Sequence, residues 1–143
     1  MLTIEPFLPT VENHTIAAYL HNLRFFPWPR DARRIMEDYD LIRKDVFHQS
    51  FLAKDGDIPV AYLAVQESYW LQKPHPYFID VWAAGTMPEA DFVQCVEFLE
   101  DIARRQGAKK FQVEDVDILG RLDFWLNRGY ESSLIGPVSR CHV

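Results

Sequence analysis

The apolar residues of this chain change their spacing along its length, and that change limits the folds open to it. Near the start of the chain, and again after residue 88, they recur every three to four positions, as on one face of a helix. Between these stretches, two apolar runs at residues 48–53 and 60–71 flank the segment Lys-Asp-Gly-Asp at residues 54–57. An Asp-Gly pair between two such runs predicts a β-hairpin. The fold must therefore combine helices with antiparallel strands.

The order of the remaining elements indicates a mixed α/β domain. Gly107 and Gly129 each follow an amphipathic run, as expected for glycine in a left-handed helix cap. A strand, a helix and a second strand after residue 76 require a parallel pair in the sheet. The length of 143 residues fits one domain over residues 1–143. The other predicted elements are a strand at 3–8, helices from Thr10 and from Asp31 to Ile42, a strand at 77–83, a helix at 88–106, a strand at 110–114, a helix at 118–128 and a strand at 130–135.

Charge and composition argue against several classes of protein. The formal net charge of −6 disfavours nucleic acid as a partner, since phosphate binding needs a basic face. No apolar run approaches the ~20 residues that span a bilayer, so we expect a cytoplasmic protein without a membrane partner. Cys95 falls on an apolar helix face and is expected to be a reduced core thiol. His14 and His21 lie about 10.5 Å apart along a predicted helix, and the sequence therefore predicts no metal site.

Two segments carry a resemblance to a known family. Residues 124–130 read Phe-Trp-Leu-Asn-Arg-Gly-Tyr, which is similar to the closing Phe-Tyr-x-x-x-Gly-Phe segment of the GNAT-type N-acetyltransferases. Residues 103–111 also look like that family's junction between its central helix and fifth strand. The order of elements agrees over nearly the whole chain. The resemblance implies a GNAT-like acyl-CoA N-acyltransferase fold, with a mixed sheet of six to seven strands and about four helices, and acetyl-CoA as the cofactor.

In that family the fourth and fifth strands diverge, and the pantetheine arm lies between them, bonded to the backbone of the fourth strand. The resemblance assigns that strand to residues 77–83. The phosphates would then rest on N–H groups at the start of the following helix, where unsatisfied donors attract an anion. The family pattern there is Gln/Arg-x-x-Gly-x-Gly/Ala, whereas residues 84–92 contain one glycine and no arginine. The implied cofactor-binding residues are Val81, Trp82, Ala83, Gly85, Met87 and Glu89.

The resemblance also suggests how the chemistry would be divided among residues. A general base must take the proton of the acceptor amine, and the carboxylates near the two diverging strands are Asp80 and Glu114. Asp80 stands within an apolar strand. Its side chain is either buried, in which case burial would raise the pKa of the carboxyl, or it points to solvent. The family's frequent general acid is a tyrosine, and Trp125 occupies its position here. Tyr130 aligns with an aromatic residue that normally packs in the core.

Three aromatic residues are candidates to line the acceptor pocket that the resemblance implies. Trp28 lies in a proline-rich turn, and Tyr69 and Trp70 follow the third strand. Aromatic side chains in such positions line binding clefts or pin loops to the core, and the sequence leaves both interpretations open.

Three functional hypotheses follow from these residues. The first is an acetyl-CoA-dependent N-acetyltransferase that acts on a small primary amine. The second is a catalytically inactive GNAT-like domain that serves as a binding module. The third is a homodimer built on a sheet edge, because residues 135–143 look short for a complete last pair of strands.

Overall fold

A computed structural model of the chain describes residues 1–24, 47–67, 76–83, 85–113, 121–133 and 136–141. A mixed sheet is packed between helices on both faces. The helices are α1 (Val11–Arg24), α2 (Glu89–Arg105) and α3 (Leu122–Asn127). The strands are β1 (Leu2–Pro6), β2 (His48–Asp55), β3 (Ile58–Glu67), β4 (Pro76–Ala83), β5 (Lys110–Val113), β6 (Glu131–Ser133) and β7 (Gly136–Cys141).

The sheet has the order β1-β2-β3-β4-β5-β7-β6. Strands β1 to β4 pair antiparallel with their neighbours, β4 pairs parallel with β5, and β7 pairs antiparallel with both β5 and β6. Strands β1 to β5 form its main body, and β6 and β7 extend it at one side. The mixed α+β class expected from the sequence is confirmed.

Local sequence accounts for several boundaries. Asp55 pairs with Ile58 across a two-residue turn, as the Asp-Gly signal predicted. The Thr10 hydroxyl accepts a hydrogen bond of 3.1 Å from the Asn13 N–H, which caps α1. Gly107, with φ +87°, ends α2, and the Ala108 N–H donates back to the Ala103 carbonyl at 3.0 Å. This is a Schellman cap, and it requires a residue that tolerates positive φ.

Two hydrophobic clusters lie on opposite faces of the sheet, because successive strand residues point to opposite sides. The face under α2 carries the odd-numbered residues of β4, among them Ile79 and Val81, and these pack with Phe92 and Leu99 of the helix. The face under α1 carries Trp82 together with residues of β2 and β3. Cys95 is fully buried on the α2 side, and burial raises the pKa of its thiol to about 12. The prediction of a core thiol is confirmed.

The end of the chain differs from the sequence prediction. The last helix was expected from residue 118, but α3 begins at Leu122, because Arg121 has φ −100° and ψ 10° and lies outside the helical dihedrals. The tail was expected to leave an exposed sheet edge. Instead β7 is inserted between β5 and β6, so that its backbone groups have partners on both sides.

The number of helices was also predicted as about four. The described ranges contain three, and the predicted helix over 31–42 lies outside them.

Candidate functional site

The pairing of β4 with β5 covers only three residue pairs in the described part of the chain. Their parallel register runs from the pair Pro76 and Lys110 to the pair Phe78 and Gln112. Val113 still pairs with β7, but it has no register partner on β4, which continues to Ala83. In the described part of the chain, the stretch of β4 from Ile79 to Ala83 therefore has β3 on one side and no paired strand on the other, and this unpaired side of β4 is called the wedge.

The wedge exposes main-chain groups rather than side chains. Successive residues of a strand direct their N–H and C=O groups alternately to the two sides, so β4 presents alternate peptide groups to the opening. The side chains of Val81, Trp82 and Ala83 are buried in the two core clusters. These three predicted cofactor residues line one side of the opening, and only their backbone is placed to bind there.

Asp80 lies at the mouth of the wedge, two residues beyond the last β4–β5 pair. It is half-buried and shares a sheet face with Trp82, opposite Ala64 in β3. The backbone of Asp80 is therefore close to the point at which the β4–β5 register ends. Glu114, the other predicted base, lies outside the described residues, as do the predicted substrate residues Trp28, Tyr69 and Trp70.

The loop after β4 leads to the N-terminus of α2. Gly85 is exposed, and a Cβ placed on it would meet nothing within 4 Å. The Met87 side chain is buried in the core and anchors the loop. Space for an approaching ligand is thus available beside the loop backbone.

The first turn of α2 contains backbone N–H groups without a backbone acceptor in the described ranges. Pro88 stands at the N-cap without a side-chain cap bond, and its carbonyl accepts the N–H groups of Asp91 and Phe92 at 3.1 and 3.0 Å. Within the described ranges, the N–H groups of Glu89 and Ala90 have no backbone acceptor. Such donors, with the positive end of the helix dipole, suit an anion. The exposed side chain of Glu89 adds negative charge beside them.

Arg121 brings a positive charge to the same place. Its Cζ atom lies 4.1 Å from the ring centroid of Phe92, in the first turn of α2. Burial lowers the pKa of Arg121, and the charge of Glu89 opposes that shift. The sequence analysis missed this residue, because nothing in the local sequence around it indicates contact with a helix so far away along the chain.

The sequence matches no protein-family model and no curated protein. Solved structures do match. An acetyltransferase from Streptococcus agalactiae gives a TM-score of 0.76 at 9% identity, covering 99% of this chain and 98% of that chain. A putative GNAT-family acetyltransferase from Desulfovibrio desulfuricans gives 0.71 at 11% identity, covering 99% of both chains. This chain has the GNAT fold.

A third solved structure with the GNAT fold contains acetyl-CoA. It is a GNAT-family acetyltransferase from Brucella melitensis solved in complex with acetyl-CoA, with a TM-score of 0.68 at 14% identity, covering 100% of this chain and 89% of that chain. At such identities the likeness shows the three-dimensional arrangement. The fold expected from the closing segment at residues 124–130 is therefore confirmed.

The position of the family's acidic tyrosine is occupied by a packed side chain. Trp125 is 2% exposed and meets the rings of Phe92, Phe124 and Tyr130 edge-on, with centroids 4.9 to 5.8 Å apart. An indole N–H is not an acid at neutral pH. Trp125 therefore contributes packing to this GNAT fold and no proton.

Tyr130 is equally committed to the interior. Its hydroxyl donates to Glu100 Oε2 at 2.7 Å. The guanidinium of Arg128 donates two hydrogen bonds to Oε1 of the same carboxylate, from Nη2 at 2.6 Å and from Nε at 3.2 Å. Burial alone would lower the pKa of Arg128, but the hydrogen bonds and charge of Glu100 raise it. Glu100 is 0% exposed. This group ties the turn after α3 to α2.

The role of Glu100 was not predicted, although one signal was present in the sequence. Glu100 lies at helical spacing from Val96 and Ala103, on the apolar face of α2, where a carboxylate needs a buried partner.

In the described ranges, no three His, Cys, Asp or Glu side chains are grouped so as to hold a metal ion. None of the helices in those ranges has the length and apolar character that a bilayer crossing requires.

Proposed function

We propose that this protein is an acetyl-CoA-dependent N-acetyltransferase that transfers an acetyl group to a small primary amine. The observation that carries the proposal is that the pairing of β4 with β5 stops at Phe78 and Gln112, so that no described strand pairs with the rest of β4 on that side. An extended chain with amide groups, such as the pantetheine arm, can pair with a strand edge of this kind through main-chain hydrogen bonds.

The residues present fit acetyl-CoA at both ends of the wedge. Alternate peptide groups of β4 between Ile79 and Ala83 would hold the arm. The N–H groups of Glu89 and Ala90, with the helix dipole behind them, would receive the phosphates, and Gly85 leaves room for their approach. Met87, which is buried, would position this loop. Acetyl-CoA supplies an activated acyl group as a thioester when it is bound.

Asp80 is the residue that we assign as general base. In the transfer, the amine nitrogen forms a bond to the acyl carbon, the carbon–sulfur bond breaks, and the nitrogen loses one proton. Asp80 lies in β4 two residues beyond the last pair with β5, and its carboxylate would accept that proton directly or through one water. We assign the proton gained by the departing thiolate to solvent, since Trp125 and Tyr130 are both committed to packing.

An alternative function is a GNAT-like domain that binds ligands or a partner without catalysis. The observations that favour it are the tryptophan in the place of the acidic tyrosine and the carboxylates of Glu89 and Asp91 in the first turn of α2. Both features would reduce catalysis or phosphate binding. The two candidate functions differ in whether acetyl-CoA is bound and consumed.

The proposal is tested first by thermal unfolding with increasing acetyl-CoA. A ligand that binds only the native state stabilises it by about 2.7 kcal/mol at 100 times its dissociation constant. We expect the melting temperature to rise with the logarithm of acetyl-CoA concentration. A melting temperature that does not move at millimolar acetyl-CoA would favour the inactive domain.

Catalysis is tested by the release of free thiol with a panel of primary amines. Asp80→Asn should lower kcat by about 100-fold or more and leave acetyl-CoA affinity unchanged. Asp57→Asn, which removes an exposed carboxylate at the hairpin turn, is the matched control and should have no effect. An Asp80→Asn variant with full kcat would show that another group takes the proton.

A further inference from the structure

The structure holds a guanidinium at an unusual place. Arg121 lies just before α3, yet its charged group stacks on Phe92 in the first turn of α2, at 4.1 Å from the ring centroid. The positive end of a helix dipole repels a cation, and arginine is usually favoured at the opposite end of a helix. The guanidinium therefore lies at the end of α2 that favours anions.

Two features hold the guanidinium at this place. The face of the Phe92 ring attracts a cation, and Phe92 itself is fixed in the core. The negative charge of Glu89, the first residue of α2, acts on the same guanidinium. Glu89 is exposed, and the N–H groups of Glu89 and Ala90 have no backbone acceptor in the described ranges, so the charge of Glu89 would compete with a phosphate bound there.

We propose that Arg121 binds the phosphate groups of acyl-CoA at the start of α2, replacing the arginine that residues 84–92 do not contain. This inference rests on the proposed function, because it names a phosphate-binding residue of the same site. A guanidinium presents paired donors that match two phosphate oxygens, and stacking on Phe92 already restricts its motion. Glu89 balances the charge until the phosphates displace it.

The experiment compares a ligand that carries phosphates with one that does not. Acetyl-CoA binding is measured by titration calorimetry, and S-acetylpantetheine binding by NMR chemical-shift titration. Arg121→Gln should weaken acetyl-CoA binding about 10- to 100-fold, as expected for loss of hydrogen bonds between charged groups. The same variant should leave the affinity for S-acetylpantetheine unchanged.

Matched variants separate charge, geometry and folding. Arg105→Gln removes one exposed arginine at the other end of α2 and should not change acetyl-CoA affinity. Arg121→Lys keeps the charge but loses the paired donors, and should fall between Arg121→Gln and the unchanged protein. Glu89→Gln should strengthen acetyl-CoA binding a few-fold, because it removes the charge that competes with phosphate. Thermal unfolding of each variant shows whether it is folded.

The possible results distinguish the two proposals. If the unchanged protein binds neither ligand, the proposed function and this inference both fail. If acetyl-CoA binds equally to the unchanged protein and to Arg121→Gln, only the role of Arg121 is wrong. Tighter acetyl-CoA binding by Arg121→Gln would show that Arg121 blocks the site, and equal weakening of both ligands would show that it only supports the fold.

Discussion

The two ends of helix α2 are built in opposite ways. At the C-terminal end, Gly107 closes the helix with a Schellman cap, and nearby the buried Glu100 is bonded to Arg128 and Tyr130. At the N-terminal end, Pro88 offers no side-chain cap, and the first backbone donors have no backbone acceptor in the described ranges. The hydrogen-bonding groups at the C-terminal end have partners within the chain, whereas the N–H groups at the N-terminal end can bind a ligand.

This contrast indicates that the C-terminal end of α2 contributes to the stability of the fold, whereas the N-terminal end can bind a ligand. Hydrogen-bonding groups that are paired within the chain stabilise the fold but cannot also bind a ligand. Groups that lack an internal partner cost stability and become binding groups when they are reached by solvent. The comparison predicts that substitutions at the C-terminal end change unfolding, whereas those at the N-terminal end change ligand affinity.

The largest expected effect is at Glu100. Glu100→Ala leaves the partly buried guanidinium of Arg128 without its main partner, and breaking a buried pair in this way costs about 3–5 kcal/mol. Denaturant unfolding should show that loss in the free energy of unfolding. Glu97→Ala is the matched control one turn away, where a 59% exposed carboxylate lies 3.9 Å from Arg128 and should contribute less than about 1 kcal/mol.

If Glu100→Ala does not fold, Glu100→Gln keeps the shape and serves in its place. Equal stability of the Glu100 and Glu97 variants would contradict the stabilising role given to the buried pair of Glu100 and Arg128.

A smaller loss is expected at Tyr130. Tyr130→Phe removes one hydrogen bond to a buried carboxylate, and such bonds contribute about 1.5–3 kcal/mol. The measurement is again the free energy of unfolding in denaturant. Tyr77→Phe is the control, because the hydroxyl of Tyr77 reaches Glu67 at 3.4 Å and makes a longer bond. A Tyr77→Phe loss as large as that of Tyr130→Phe would contradict the importance given to the Glu100 group.

The smallest effect is expected at Pro88, with the opposite sign. Pro88 already has the extended dihedrals of an N-cap residue, with φ −57° and ψ 142°, so a serine there can cap α2. Pro88→Ser should be more stable than Pro88→Ala by about 1 kcal/mol in thermal unfolding. The serine oxygen would take a helix N–H, and acetyl-CoA affinity should therefore fall relative to Pro88→Ala. Unchanged affinity would show that these donors do not bind the cofactor.

Much of the fold follows from short sequence signals. The Asp-Gly turn, the Thr10 cap and the glycines after α2 and α3 were predicted at their observed positions, since each depends on a few neighbouring residues. The closing segment around Trp125 predicted the GNAT fold. The tail was predicted wrongly, because the pairing of β7 with two strands depends on chain segments that are distant in sequence.

The candidate site was only partly predictable. Asp80 and the end of β4 were named from the resemblance, and the structure places them where β5 departs. Arg121 and Glu100 were missed, because each depends on which helices lie side by side. Phosphate binding by Arg121 and base chemistry by Asp80 stay proposals for the experiments above.

Local sequence accounts for the hairpin turn, the Thr10 cap and the C-terminal ends of α2 and α3, since caps and glycine act over a few residues. Only the tertiary structure shows that the pairing of β4 with β5 stops at Phe78 and Gln112, that the carboxylate of Glu100 is buried against Arg128, and that Arg121 meets the first turn of α2. The physical reason is distance along the chain. Charges and strand edges interact through space, and that arrangement exists only after the core has brought remote segments together.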